Sequence, residues 1–220
     1  MKKRILKNVF FSLTLLGLIL IILLFFYQTI LIGAGRYLAP EGMGRADVVI
    51  LEGAELMKEK PIKIGMGLLS SGKVSRIVVV VKQNSTNGKI FALPNYTFLL
   101  THNLEGLGLK RDQFQVVGVP ANHPITLTEA KIVLSNLSKS GVSSAILLAE
   151  GFHTRRSFWA YKKVGKPLGI EIIAHPYFIN YQNETWWHQV EGFHEFFYEC
   201  FKFFYYILRG YIPVKSLFVT

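Results

Sequence analysis

Cys200 is the only cysteine among 220 residues. That scarcity excludes an internal disulfide framework and any thiolate zinc cluster, leaving only mixed His and carboxylate metal sites open. Acidic residues are also few, 14 against 25 Lys and Arg, for a formal charge of +11, and none of them precedes Glu41. No repeat or biased tract occurs, which removes collagen, coiled-coil and low-complexity classes. Serine-hydrolase and P-loop signatures are absent. Gly65-Met66-Gly67 is a fragment of a glycine fingerprint, but it lies inside a predicted helix rather than after a strand and carries no weight. What is present is apolar: half the residues are hydrophobic and 18% charged, too greasy for a disordered chain.

Much of the grease is one segment. Residues 9–32 run for 24 positions without a charge, enough for a helix of roughly 36 Å at ~1.5 Å per residue, against a hydrocarbon core of ~30 Å. Lys2, Lys3, Arg4 and Lys7 precede it, and Arg36 and Arg45 are the nearest basic residues beyond. The positive-inside rule then predicts a single-pass anchor with a cytoplasmic N-terminus and an exported C-terminal part. A cleaved signal peptide is the competing expectation. The run exceeds the ~7–15 residues of a usual signal core, and Ile32-Gly33-Ala34 is a poor cleavage site. The expected division is residues 1–36 as basic tip and anchor, and 37–220 as one exported domain.

Without those four basic residues, 21 remain against 14 acidic ones, a net +7. The expected partners are the lipid bilayer and an anionic molecule near its headgroups. Nucleic acid is not expected, because no recognition module is visible.

The rest predicts an α/β domain. Residues 47–51 and 76–81 are continuously apolar and β-branched, as suits strands buried on both faces of a parallel sheet. Residues 115–119, 145–149 and 171–174 are further predicted strands. Helical stretches at 57–71, 93–107, 128–140 and 154–164 alternate with them, which predicts a doubly wound parallel sheet. Ligands in such sheets sit at the carboxyl ends of strands. Five segments qualify: Glu52-Gly53, Lys82-Gln83-Asn84, residues 120–123, residues 150–153 and His175-Pro176. Residues 186–208 form a last, aromatic-rich helix in which Glu191, Glu195 and Glu199 share one face. Three glutamates, Lys202 and Arg209 argue against a second span. Packing on the sheet is expected instead, with an aromatic edge at the bilayer interface.

Three segments are candidates for chemistry. In Glu150-Gly151-Phe152-His153-Thr154-Arg155-Arg156, a strand end opens a helix, so backbone N–H groups and two guanidiniums could hold an anion while His153 shuttles a proton. Capping by His153 and surface pairing of the arginines is the bland alternative. In the second segment, residues 120–129, Thr126 or Thr128 is expected to cap a helix, with Glu129 in its first turn. The third, His188, Glu191, His194 and Glu195, lacks the i, i+4 histidine spacing of a helical zinc motif, so no metal is expected there.

Several segments, in order, resemble the SanA/ElyC/YdcF-like family of bacterial envelope proteins. Ala46-Asp47-Val48-Val49-Ile50-Leu51-Glu52-Gly53 is similar to its opening strand, Thr126 to Ala130 to its Thr-rich helix start, and Gly151-Phe152-His153-Thr154-Arg155-Arg156-Ser157 to its His–Arg signature. Ile172-Ile173-Ala174-His175-Pro176, Trp186-Trp187 and Glu191-Gly192 with Glu195 resemble its C-terminal part. The resemblance covers residues 46–210. It implies a Rossmann-like sheet behind one N-terminal transmembrane helix, and a part in envelope or peptidoglycan-precursor upkeep. Two departures fall on the expected ligand edge. Lys82-Gln83-Asn84-Ser85 stands where the family has a Ser/Thr-Gly-Gly turn, and an arginine expected on the first helix is missing, with Lys63 as its stand-in.

The leading expectation is therefore a protein that binds or processes a phosphorylated, lipid-linked cell-wall precursor. His153, Glu52 and Glu129 would be the catalytic groups, and Gly53, Thr126, Arg155 and Arg156 would bind substrate. A non-enzymatic scaffold for cell-wall synthesis proteins is the alternative, and a nucleotide binder a weaker one; no cofactor is assigned.

Overall fold

Alternation within the apolar runs sorts their side chains onto two faces of one sheet. Val48 and Ile50 of β1 (Val48–Leu51) join one apolar cluster while Val49 and Leu51 join another, and β2 (Arg76–Gln83) divides likewise, with Val78 and Val80 opposite Ile77 and Val79. Both faces are covered, as an all-parallel sheet requires. The computed structural model describes residues 2–52, 59–83, 85–86, 89–90 and 94–219.

Before β1 runs helix α1 (Lys2–Leu38). Helix α2 (Glu59–Ser70) leads to β2, a two-stranded antiparallel ribbon of β3 (Ser85–Thr86) and β4 (Lys89–Ile90) follows, and α3 (Pro94–Gly106) leads to β5 (Phe114–Pro120). Then come α4 (Ile125–Lys139), β6 (Ser144–Glu150), α5 (Thr154–Gly165), β7 (Glu171–Tyr177) and α6 (Val190–Leu208). The five long strands are parallel throughout, in the order β5-β2-β1-β6-β7. The chain winds outward from β1 in one direction and then, from β6, in the other. The crevice between the ends of β1 and β6 is thus the topological switch point, where doubly wound sheets bind ligands.

The predicted α/β class and its five strands are present. Three boundaries differ. β7 continues through His175-Pro176, which had been expected to form a loop; it is an edge strand, where a proline removes no ladder bond. Helix α4 starts at Ile125 behind Pro124 with no side-chain cap, so neither Thr126 nor Thr128 is its N-cap. The last helix is divided at Gln189, with a short 3-10 turn Trp186–His188 before α6. Gly53 and the expected beginning of the second helix at residues 57–58 lie outside the described residues.

Helix α1 has two parts by environment. Its large side chains between Phe10 and Ile30 are exposed, whereas Leu38 is buried with Phe152, Tyr181 and Trp186, and Leu31 and Tyr37 pack around them. Trp186 Nε1 donates to Leu31 O at 3.0 Å. The expected boundary at residue 36 therefore falls within a helix whose last two turns pack on the domain. The axis bends by 56° between Phe10–Ile22 and Leu24–Leu38; among the described residues no single helix is long and apolar enough to cross a membrane, and these two halves pass that test only together, by length and composition.

Arg155 fastens the same region. Its guanidinium donates to Tyr37 O (2.9 Å), Ser216 O (2.6 Å) and Val219 O (2.9 Å), and lies 3.7 Å over the Tyr37 ring. One buried side chain thus ties the end of α1 to the C-terminal segment. Replacing Arg155 by Met strands three carbonyls and is expected to cost roughly 2–4 kcal/mol, read as a lowered thermal midpoint in detergent.

Candidate functional site

Helix α5 carries the site because of a strand-to-helix turn and a four-residue repeat. Glu150 ends β6, and Gly151 takes φ +53°, a left-handed conformation. A Cβ at Gly151 would collide with Tyr181 Oη and the Glu195 carboxylate, so only glycine lets the chain turn here. The Thr154 hydroxyl then donates to Gly151 O at 2.7 Å. From this start His153, Ser157 and Tyr161, spaced i, i+4, i+8, line one face of the helix. That face looks at the end of β1 and at α4.

Glu52, one residue beyond β1, is the hub. His153 Nε2 lies 3.1 Å from its Oε1, and Ser157 Oγ donates to the same oxygen at 2.7 Å. Ser157 Oγ is also 2.9 Å from His153 Nε2. Ser157 is fully buried, so it positions the pair rather than reaching a ligand. On the other side of the imidazole, Arg156 Nη2 donates to Nδ1 at 2.7 Å, and Glu199 Oε2 from α6 stands 3.4 Å away. Arg156 also grips Glu199 through two bonds, Nε to Oε2 at 2.8 Å and Nη2 to Oε1 at 3.0 Å, while Nη1 donates to Thr126 Oγ1 at 2.8 Å. Glu129 accepts from Tyr161 Oη at 3.0 Å.

The charge states follow from burial set against neighbours. Burial pushes the Glu52 carboxyl up, but His153, Ser157 and Lys82 outweigh it and hold Glu52 below the ordinary range. Burial, with Glu52 beside it, pushes Glu129 up to about 8 despite Lys82 and Tyr161. Glu199 resists its burial and lies well below the ordinary range, because His153 and Arg156 both stabilise its charge. Burial opposes charge on His153, yet Glu52 and Glu199 overcome it and Arg156 and raise the ring to about 9. The 2.7 Å Arg156 bond needs a lone pair on Nδ1 and so belongs to the neutral ring; protonation gives it up and leaves Glu199 Oε2, 3.4 Å away, as the acceptor beside Nδ1. At neutral pH the site thus holds a carboxylate, Glu52, next to a protonated carboxylic acid, Glu129. Among the described residues the Oε2 atoms of both are buried without a hydrogen-bond partner, which leaves each with unused hydrogen-bonding capacity. His153 keeps 22% of its side chain exposed and forms the accessible edge.

The structure gathers Glu52, His153, Arg156, Thr126 and Glu129 as expected, with two changes of role. Glu129 lies in the second turn of α4 and is buried, so its charge does not serve the helix dipole. Every terminal nitrogen of Arg156 is engaged within the protein, so Arg156 positions His153 and Glu199 rather than holding a ligand. Arg155 is not in the site; it binds carbonyls at the end of α1 and in the C-terminal segment. Lys63 does not stand in for an arginine, since it pairs with Glu59 at 2.6 Å on the exposed face of α2. His175 lies on β7, its Nδ1 3.7 Å from Glu41 Oε1 and apart from the cluster. Among the described residues no group of three or more metal-ligating side chains could hold a metal ion.

Four groups were missed. Ser157 and Tyr161 were readable from their spacing to His153. Glu199 belonged to a recognised carboxylate stripe that had been given no role. Lys82 had been counted as a lost glycine turn, yet it supplies the cation whose field reaches Glu52 and Glu129.

No protein-family model, curated protein or solved structure matches the chain.

Because Glu129 binds its proton far more tightly in the fold than in the unfolded chain, the native state holds an extra proton between about pH 4.5 and 8. Stability therefore falls as pH rises through that window. Glu129→Gln should remove this slope: relative to the parent, its urea midpoint should gain at least ~1 kcal/mol in equivalent stability between about pH 5 and pH 8.

Proposed function

We propose that the protein is a membrane-anchored acid–base enzyme acting on a phosphorylated, lipid-linked intermediate of the cell envelope. The observation that carries the reading is the pair of partnerless buried oxygens, Glu52 Oε2 and Glu129 Oε2, beside His153. A carboxylate and a protonated carboxylic acid kept apart in charge by their surroundings divide the roles of base and acid between them.

In the proposed reaction, water attacks phosphorus as the bond to the leaving oxygen breaks. Glu52 orients the water and ends with its proton, while Glu129 gives its proton to the leaving oxygen. Phosphoryl transfer passes through a loose transition state with little demand for a strong base, so a weakly basic Glu52 suffices. His153 and Lys82 face the charge on the non-bridging oxygens. The anchor in this reading is the exposed apolar part of α1, whose large residues from Phe10 to Ile30 face outward. Its last turns pack against the same Phe152 cluster that precedes His153 in the chain.

The test is phosphate release from a polyprenyl diphosphate by the full-length protein in nanodiscs. Glu52→Gln, His153→Ala and Glu129→Gln should each lower turnover ~10²–10⁴-fold, and Glu129→Gln should also abolish the alkaline limb of the pH profile near 8. Undiminished cellular function in a Glu52→Gln/His153→Ala double variant at normal membrane level would instead favour a scaffold for wall-synthesis proteins.

A further inference from the structure

Helix α6 has two opposed faces, and only one of them contributes to the His153 cluster. Its inner face contributes buried Glu199, Phe203 and Tyr206. Its outer face presents Val190, Phe193, Phe197, Phe201, Phe204 and Leu208, exposed by 44% to 84%. Their spacings of three and four keep all six within an arc of about 80° on the helix. Soluble surfaces scatter apolar residues singly; a continuous stripe of five helical turns marks a contact surface.

What lies next to this stripe says what covers it. The end of α1 packs on the same helix: Tyr37 meets Phe203 edge to face at 6.4 Å, and Trp186, stacked on Phe196 at 4.1 Å, bonds to Leu31 O. The C-terminal segment also meets α1: Tyr37 Oη donates to Leu217 O at 3.0 Å, and Val214 and Phe218 beside it are 61% and 84% exposed. Exposed apolar residues of both α6 and the C-terminal segment thus adjoin α1 where it meets the domain. Cations lie on one flank of the helix, between the stripe and the inner face: Lys202, 3.4 Å from Glu199 Oε1, lies 3.8 Å over the Tyr198 ring, and Arg209 lies 5.9 Å over Tyr211. Aromatic residues with cations along one edge are the composition of helices that lie in a membrane interface.

We infer that the outer face of α6, with the C-terminal segment around Phe218, lies in the interfacial layer of the bilayer that α1 enters. The domain then rests on the membrane rather than hanging from a tether. Because α6 also supplies Glu199, the same helix faces lipid on one side and the His153 cluster on the other. A lipid-linked substrate would then reach the site without leaving the headgroup layer. The inference rests on the membrane placement of α1 under the proposed function.

Spin labels test it in the full-length protein, reconstituted into phosphatidylethanolamine and phosphatidylglycerol vesicles. In a Cys200→Ser background, single cysteines replace Phe197, Phe204, Leu20 on α1, or the exposed Asn136 on α4, with thermal midpoints checked against the parent. At Phe197→Cys and Phe204→Cys, relaxation by oxygen should exceed relaxation by an aqueous nickel chelate severalfold, with the ratio reversed at Asn136→Cys. Labels on α6 as water-accessible as that at Asn136, while Leu20→Cys reads lipid, would overturn the inference and leave the anchor standing. Labels on α6 shielded from both reagents would overturn it in favour of a second protein copy. A water-accessible label at Leu20 would remove the anchor reading, and this inference with it.

Discussion

The buried pair between Arg156 and Glu199 holds the site's geometry. It joins α5 to α6 through two parallel bonds, and the spare nitrogens of the same guanidinium reach Thr126 on α4 and the ring of His153. Three helices that the sheet alone would leave independent are thereby fixed against one another at the crevice. Such a pair adds little net stability, because desolvating two charges offsets most of their attraction. Its value is in direction. A planar guanidinium with every terminal nitrogen engaged leaves the imidazole one orientation, with Nε2 toward Glu52. Each carboxylate then acts on a different ring nitrogen, Glu52 on one and Glu199 on the other.

The same crevice explains the division between Glu52 and Glu129. Both are buried, and burial pushes both toward the neutral form. Glu52 has Ser157 and the imidazole at hydrogen-bond distance, whereas the one hydrogen bond given to Glu129 comes from the Tyr161 phenol. Two carboxyls close enough to feel one another cannot both ionise cheaply in a medium of low dielectric, so the better-solvated one takes the charge. Neighbours, not residue type, set which is acid and which is base.

The sheet was legible because its signal is local. Continuous β-branched runs such as residues 76–81 have few ways to be buried other than as central parallel strands. The switch point and its Glu52 and His153 followed from strand ends. Less legible was everything decided by tertiary partners. Arg155 and Arg156 are adjacent and identical in type, and nothing in the sequence tells that a turn of ~100° between them sends one to the end of α1 and the C-terminal segment and the other to the site. Thr126 reads as a cap by composition, but Arg156 claims its hydroxyl. Lys82 looked like damage to a glycine turn until its side chain could be placed beside two carboxyls. The proline in β7 misled for a related reason, since only strand order reveals that the strand is an edge.

Arg155 also has a mechanical meaning. Tyr37 belongs to the last turn of α1, and Ser216 and Val219 lie in the C-terminal segment, so these two parts of the chain converge on one guanidinium a single residue from Arg156. A force applied along α1 meets this clasp and the Trp186 bond to Leu31 before it reaches any strand. Strain arriving from the N-terminal helix would register first in the opening turn of α5, where His153 is held.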